Sequence, residues 1–160
     1  MTILVIGASG QLASHLRRKL STAIFRGRTD LDLADTATIG PAVQALTPSL
    51  IINAAAYTDV DGAEREPAAA WQINAEAPAA LARAAERLGV PLIHVSTDYV
   101  FDGTARAEYQ PDAGACPVNV YGRTKLAGEL AVAALCERHW ILRVSWVFSE
   151  FGANFVKTML

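Results

Sequence analysis

The sequence predicts a doubly wound α/β sheet, and three observations predict it. Short apolar runs alternate with amphipathic segments from one end of the chain to the other. The first apolar run leads through a glycine-containing turn into a helix. The residues suited to chemistry all follow strand ends. Strands alternating with helices imply a parallel sheet, right-handed crossovers and helices on both faces.

Residues 2–7 form a continuous apolar run ending in glycine, the pattern of a strand buried on both faces. Residues 11–20 place Leu12, Leu16 and Leu20 at four-residue spacing with Arg17, Arg18 and Lys19 opposite, which predicts a helix. Residues 22–25 read as a second strand. Residues 35–46 read as a helix, with Asp35 or Thr36 as its N-cap. Residues 50–54 form a third strand. The Ala-rich stretch that follows has helical spacing, and residues 67–88 read as one long helix closed by Gly89. Asp59, Asp61 and Glu64 read as capping and charging a helix start. Residues 91–96 form a fourth strand, residues 120–136 a helix, and residues 139–144 a fifth strand. Strand ends at Gly7, Ala54, Ser96 and Val144 each lead into an informative segment. In such sheets ligands bind beyond the carboxyl ends of the strands.

A chain of 160 residues that is 52% hydrophobic and 19% charged suits one packed domain. A net charge of -2 gives no general attraction to nucleic acid or anionic membranes. No apolar run reaches the roughly 18 residues of a membrane span. The amino terminus reads as a strand and not as a signal peptide. Cys116 and Cys136 lack metal-ligand spacing and read as two unrelated thiols of a cytoplasmic protein. His94 reads as a core residue and His15 and His139 as structural or surface residues. Trp71 and Trp140 read as core. Trp146 stands apart, because it follows the fifth strand on the ligand side.

The turn Gly7-Ala8-Ser9-Gly10-Gln11-Leu12-Ala13 joins the first strand to the first helix. Glycine at positions 7 and 10 lets the backbone turn sharply and approach a pyrophosphate, which the helix N-terminus then attracts. This is the context of a Rossmann-like dinucleotide site, with Ala13 small enough for close helix–strand packing. Such folds commonly hold the ribose of NAD with a carboxylate after the second strand. Here that strand end reads Phe25-Arg26-Gly27-Arg28. Arg26 and Arg28 suit a 2′-phosphate and favour NADPH, while Asp30 and Asp32 nearby leave NADH and two solvated arginines open.

Ser96-Thr97-Asp98-Tyr99 follows the fourth strand, and Tyr121-Gly122-Arg123-Thr124-Lys125 opens the next helix. Tyr121 and Lys125 share a helix face at i, i+4 spacing. Reduction of a ketone requires a proton at the oxygen. Tyrosine can supply it if a nearby ammonium lowers the phenol pKa. Thr97 can hydrogen-bond the same oxygen. Lysine is scarce, occurring only as Lys19, Lys125 and Lys157, which makes a chance pairing less expected. No metal-ligand cluster is visible, and hydride transfer requires none.

At these residues the sequence resembles the extended short-chain dehydrogenase/reductases and, among them, the dTDP-4-dehydrorhamnose reductases. The run Ser-Thr-Asp-Tyr-Val-Phe-Asp-Gly, followed by Tyr-Gly-Arg-Thr-Lys-Leu-Ala-Gly-Glu, carries the resemblance. Residues 7–12, 53–58, 143–147 and 154–160 extend it. The resemblance implies that Thr97, Tyr121 and Lys125 form a catalytic triad, with Lys125 also holding the nicotinamide ribose. It places Gly7, Gly10, Gln11 and Leu12 at the pyrophosphate, Asp32 and Leu33 beside adenine, and Ala55, Ala56 and Tyr57 along the cofactor riboses. Thr58, Val60, Thr97, Tyr99 and Trp146 resemble contacts to a dTDP-sugar substrate. His15 stands near the place of a glutamate that some members use in a magnesium site between subunits, so no such metal site is expected. A homodimer remains open.

The implied activity is NADPH-dependent reduction of dTDP-4-dehydro-L-rhamnose to dTDP-L-rhamnose. A nucleotide-sugar epimerase or dehydratase keeps the fold with a tightly held NAD. A non-catalytic regulatory subunit of methionine adenosyltransferase is a third reading. The family carries a carboxyl-terminal portion that completes the sugar-nucleotide pocket. Residues 1–160 therefore read as one NAD(P)-binding domain of a longer chain, ending inside a helix without a C-cap.

Overall fold

The computed structural model describes residues 2–160. Five strands form one parallel sheet: β1 (Ile3–Ile6), β2 (Ile24–Arg26), β3 (Leu50–Asn53), β4 (Leu92–Thr97) and β5 (His139–Val144), in the spatial order β2-β1-β3-β4-β5. The helices are α1 (Gln11–Lys19), α2 (Thr36–Leu46), α3 (Val60–Arg65), α4 (Pro67–Trp71), α5 (Ala77–Leu88), α6 (Val120–Leu135) and α7 (Phe155–Met159). A π-helical turn, Gln72–Glu76, joins α4 to α5.

The period-2 geometry of the strands divides the sheet into two faces. Leu4, Ile51 and Leu92 are register partners on one face, and all are fully buried with Ile39 and Val43 of α2, Leu81 of α5 and Val132 of α6. The chain leaves β1 toward β2 but leaves β3 toward β4. Right-handed crossovers therefore put α1 on the opposite face. On that face the register row Val5, Ile52, Ile93, Trp140 runs from 0% exposure at Val5 and 8% at Ile52 to 56% at Trp140. Gly89 ends α5 in the left-handed region (φ 63°), as expected of a C-cap glycine.

Several boundaries differ from the sequence reading. The second strand is Ile24–Arg26, because it pairs with Leu4–Ile6, and this brings Arg26 into the sheet. The fourth strand extends through Thr97, which pairs with Val144. The expected long helix is interrupted by the π turn. Pro78 has no N–H for the Asn74 carbonyl four residues earlier, and its ring crowds that oxygen. Asp35 occupies the N-cap position of α2 without a side-chain cap bond. Asp59 instead caps α3, accepting from the Gly62 N–H at 2.8 Å. The tryptophans expected in the core are partly exposed: Trp71 on the outside of α4, and Trp140 on the uncovered face of an edge strand.

Candidate functional site

The cleft opens where the winding reverses, between the carboxyl ends of β1 and β3. Gly7 leaves β1 with φ 109°, a conformation L side chains rarely adopt. Its N–H donates to the Arg26 carbonyl at 2.8 Å, and a Cβ there would lie 3.4 Å from the Ala54 carbonyl. Glycine thus keeps the crevice floor open. Gly10 is the N-cap of α1; no side chain caps the helix and no acidic residue lies in its first turn. The positive end of the helix is free to meet an anion.

The resulting cleft of about 420 Å³ is lined by residues 6–10, 26–28, 31–33 and 54–58 and by Ile73. It gathers Gly7, Gly10, Arg26, Arg28, Asp32, Leu33, Ala55, Ala56, Tyr57 and Thr58 from the sequence reading. Gln11, Leu12, Tyr121 and Lys125, also expected at the cofactor, lie outside its lining, as do Val60, Thr97, Tyr99 and Trp146, expected at the substrate. The Gln11 side chain turns to the segment after β5, where its Oε1 accepts from Ser149 Oγ at 2.8 Å and Asn154 Nδ2 at 3.2 Å. Its Nε2 donates to the Val147 carbonyl of the same segment at 3.4 Å. Arg28 is exposed and 3.8 Å from the Asp32 carboxylate, a loose pair that leaves the guanidinium available.

Tyr121 and Lys125 lie on the first turns of α6. Asn119 caps this helix through the Gly122 N–H at 2.7 Å, and Glu64 accepts from the Val120 N–H at 2.7 Å. A Cβ at Gly122 would meet the Tyr99 carbonyl at 2.2 Å, so glycine lets the helix start rest on the backbone just after β4. Thr97 ends β4. Its hydroxyl donates to Asp98 Oδ1 at 3.1 Å and accepts from the Tyr99 N–H at 3.2 Å. Tyr99 meets Tyr121 edge-on at 5.5 Å between ring centroids.

Lys125 is 1% exposed, and its Nζ donates to the Val95 carbonyl at 2.7 Å. Burial pushes its ammonium down to about 8, with the Glu129 carboxylate one turn later pulling the other way. Glu129 is itself buried and held bidentately by Arg143 of β5. The Tyr121 phenol is raised above its ordinary value, which corrects the expected lowering. Burial is the main cause. The nearby Thr97 hydroxyl pulls it back part-way, and the Asp98 charge adds to the rise. The Lys125 ammonium is directed at the Val95 carbonyl and not at the phenol.

His94 is fully buried, as expected, and pushed down to about 3, first by burial and then by the Lys125 charge. Its Nδ1 lies 3.0 Å from Asn53 Nδ2, so the neutral ring accepts from the amide. Val60 starts α3 and packs with Tyr57 against the cluster holding Tyr121. Trp146 follows β5 with φ 51°, a strained value for a side chain of this size. Its exposed ring meets Phe155 at 4.8 Å. The sequence reading missed Asn74, and it gave no individual role to Asn53, Glu129 and Arg143, which lie in the stretches that carry the resemblance. Pro78 was the visible signal for the turn that presents Asn74.

The family model for the RmlD substrate binding domain matches residues 1–160. The chain belongs to this family. The dTDP-4-dehydrorhamnose reductase of Sinorhizobium fredii is 45% identical over 163 residues, covering 100% of this chain and 55% of the relative. That of Salmonella typhimurium is 42% identical over 167 residues, covering 100% of this chain and 56% of the relative. Among solved structures, the Clostridium acetobutylicum dTDP-4-dehydrorhamnose reductase superposes with a TM-score of 0.96 at 38% identity, over 99% of this chain and 58% of that one. The Bacillus anthracis enzyme, solved in complex with NADP, gives 0.93 at 36% identity over the same shares. UDP-glucose 4-epimerase of Thermotoga maritima, at 21% identity and a TM-score of 0.80, shares the fold. The chain thus spans somewhat over half the length of the relatives it matches.

Proposed function

We propose that the protein carrying this chain reduces dTDP-4-dehydro-L-rhamnose to dTDP-L-rhamnose with NADPH, using Tyr121 as proton donor. The observation that carries this reading is the pairing on α6 of a buried, protonated phenol with a buried lysine, beside Thr97 at the end of β4. The positive-φ cradle at Gly7 and the uncapped start of α1 fit a pyrophosphate. Arg26 and Arg28 fit a 2′-phosphate, and the NADP complex of the Bacillus anthracis relative supports that choice.

Bound NADPH supplies the hydride for the carbonyl carbon. Tyr121 holds a proton at its Oη and delivers it to the sugar oxygen as charge develops there. The phenol is protonated at neutral pH, as a donor must be; the rise caused by burial makes it a weaker acid and is not what fits it for the role. Thr97 orients the same oxygen once its hydroxyl proton, donated to Asp98 Oδ1 in this structure, turns toward the substrate. Lys125 has three N–H donors, and among the described residues one is occupied, by the Val95 carbonyl. The other two can hold the hydroxyls of the nicotinamide ribose. Tyr99, Thr58, Val60 and Trp146 serve as the dTDP-sugar contacts contributed by this chain.

The test is NADPH oxidation by the purified protein with dTDP-4-dehydro-L-rhamnose, run beside Tyr121→Phe. Turnover that the substitution abolishes supports the reading. A protein that retains NAD through purification and epimerises a nucleotide sugar without net oxidation contradicts it.

A further inference from the structure

Of the ion pairs among the described residues, one has a buried carboxylate, Glu129 with Arg143. Neither residue has a part in the proposed chemistry. Glu129 follows Lys125 by four residues on α6, so the two share a helix face. A carboxylate and an ammonium so placed inside a protein attract strongly, and pairing relieves the burial penalty of both. Yet no ion pair between them forms among the described residues. Lys125 Nζ turns to the Val95 carbonyl at 2.7 Å. Glu129 is engaged from β5, where Arg143 Nε donates to its Oε1 at 3.0 Å and Nη2 to its Oε2 at 2.6 Å. This is the two-pronged grip for which a guanidinium is suited. Strand period sets Arg143 for it: two residues after Ile141, it shares the covered face of β5. The rest of the guanidinium is fixed as well. Nη1 donates to the Pro111 carbonyl at 3.2 Å, and the group lies 4.9 Å from the centroid of the Phe101 ring.

We propose that Arg143 is a positioning residue: by occupying both carboxylate oxygens of Glu129, it keeps that carboxylate from capturing the Lys125 ammonium, which stays free for the nicotinamide ribose. Without Arg143, Glu129 is buried and unpaired, a costly state that is relieved when Lys125 turns toward it. This inference rests on the NADPH-dependent ketoreductase reading. Lys125 is also faced by Tyr121 on α6 and His94 on β4, and both are uncharged near neutral pH. The Asp98 charge at the end of β4 acts on Tyr121.

NADPH affinity across pH and the urea midpoint are measured for the purified protein, for Arg143→Met and for Arg143→Met with Glu129→Met. At about pH 6, Arg143→Met is expected to weaken NADPH binding about tenfold, as charge-assisted bonds to the ribose are lost. The fall in affinity expected near pH 8 should move to higher pH, because a direct carboxylate partner favours the ammonium. The double variant is expected to bind within about threefold of wild type at about pH 6, since no carboxylate remains to capture the lysine and an apolar pair replaces a buried ion pair at little cost. Its fall in affinity should move below pH 8, as the support of Glu129 is lost. The rescue is decisive. The double variant lacks the Pro111 and Phe101 contacts just as the single one does, so a loss that came through those contacts would persist in it. Binding that stays weak in the double variant overturns the inference, and so does a lowered urea midpoint in Arg143→Met with unchanged affinity. If Arg143→Met does not fold, Arg143→Lys is read instead, because lysine keeps the charge without the fork. Weakened binding that Glu129→Met relieves then supports the inference, and wild-type affinity overturns it. Wild-type protein that does not bind NADPH sinks the underlying reading and this inference with it; wild-type binding combined with either overturning result sinks the inference alone.

Discussion

Tyr121 and Lys125 show how burial shifts two titratable groups on one helix face in opposite directions. Burial disfavours charge, so it raises the phenol and lowers the ammonium. In the proposed reaction the protonated phenol is the donor. Tyr121→Phe is expected to reduce turnover by about 10²–10⁴-fold, the usual contribution of a positioned acid, with NADPH affinity nearly unchanged. Steady-state kinetics beside a binding titration check this. The lysine has a pH signature of its own. Its pKa is 10.5 in the unfolded chain and about 8 in the folded one. Below about 8 both states bind the proton, and the folded state bears the full penalty of a buried charge. Between about 8 and 10.5 only the unfolded state binds it, so this group makes stability rise with pH, by on the order of 3 kcal/mol in all. Urea unfolding across that range should show the rise in the wild type relative to Lys125→Met. NADPH affinity should change in the opposite sense, falling as pH rises through about 8, because the ammonium loses donor and charge. At the rim of the cleft, Arg28→Ala is expected to weaken NADPH binding about tenfold and leave NADH binding unchanged, since a charge-assisted bond to the 2′-phosphate is lost. Parallel titrations with the two cofactors measure it. The placement of Tyr121 and Lys125 on one face of a helix and of Thr97 at a strand end was legible in the sequence from spacing and alternation. The direction of the tyrosine shift was not, because it depends on how much protein surrounds the ring.

At the scale of elements, α6 organises the site because two glycines let it lie close to its neighbours. Gly122 rests on the Tyr99 carbonyl and Gly128 on the Asn74 carbonyl. Both obstacles are backbone, so neither can step aside cheaply. Gly128→Ala is expected to destabilise the fold by about 1–3 kcal/mol or more, the cost of overpacking, although alanine favours helix elsewhere. A lower urea midpoint with an unchanged slope would confirm it. The helices and strands themselves were legible from apolar periodicity. The π turn was not, because its cause lies in two facts read together: a proline at position 78 and, on the neighbouring helix, a glycine that leaves room for the Asn74 carbonyl. The short helix Val60–Arg65 was blurred for a related reason. Asp59 caps it, while Glu64, grouped with the same cap in the sequence, reaches across to the start of α6.

Across the whole molecule, the parallel sheet brings Gly7, residues 54–58, Thr97 and Trp146 to one edge, although they are far apart in sequence. This convergence was legible, because strand order follows from alternation and crossover handedness. Uneven covering of the sheet was not. One face is packed by α2, α5 and α6, whereas the other leaves Trp140 and Leu142 of the edge strand about half exposed. Adjacent apolar side chains on a sheet edge favour association. Leu142→Lys is expected to suppress concentration-dependent light scattering of this chain while changing its stability by no more than about 0.5 kcal/mol. The central claim is that this fold builds a dinucleotide cleft whose wall at Tyr57 packs against the cluster holding Tyr121. Calorimetric titration of the purified chain with NADPH tests it most directly, with Gly7→Val as the control, because valine at φ 109° is strained and its side chain enters the crevice. The account predicts saturable binding at one site that Gly7→Val removes while the fold persists by circular dichroism. Absence of binding by the folded wild-type chain, or equal binding by Gly7→Val, would contradict it.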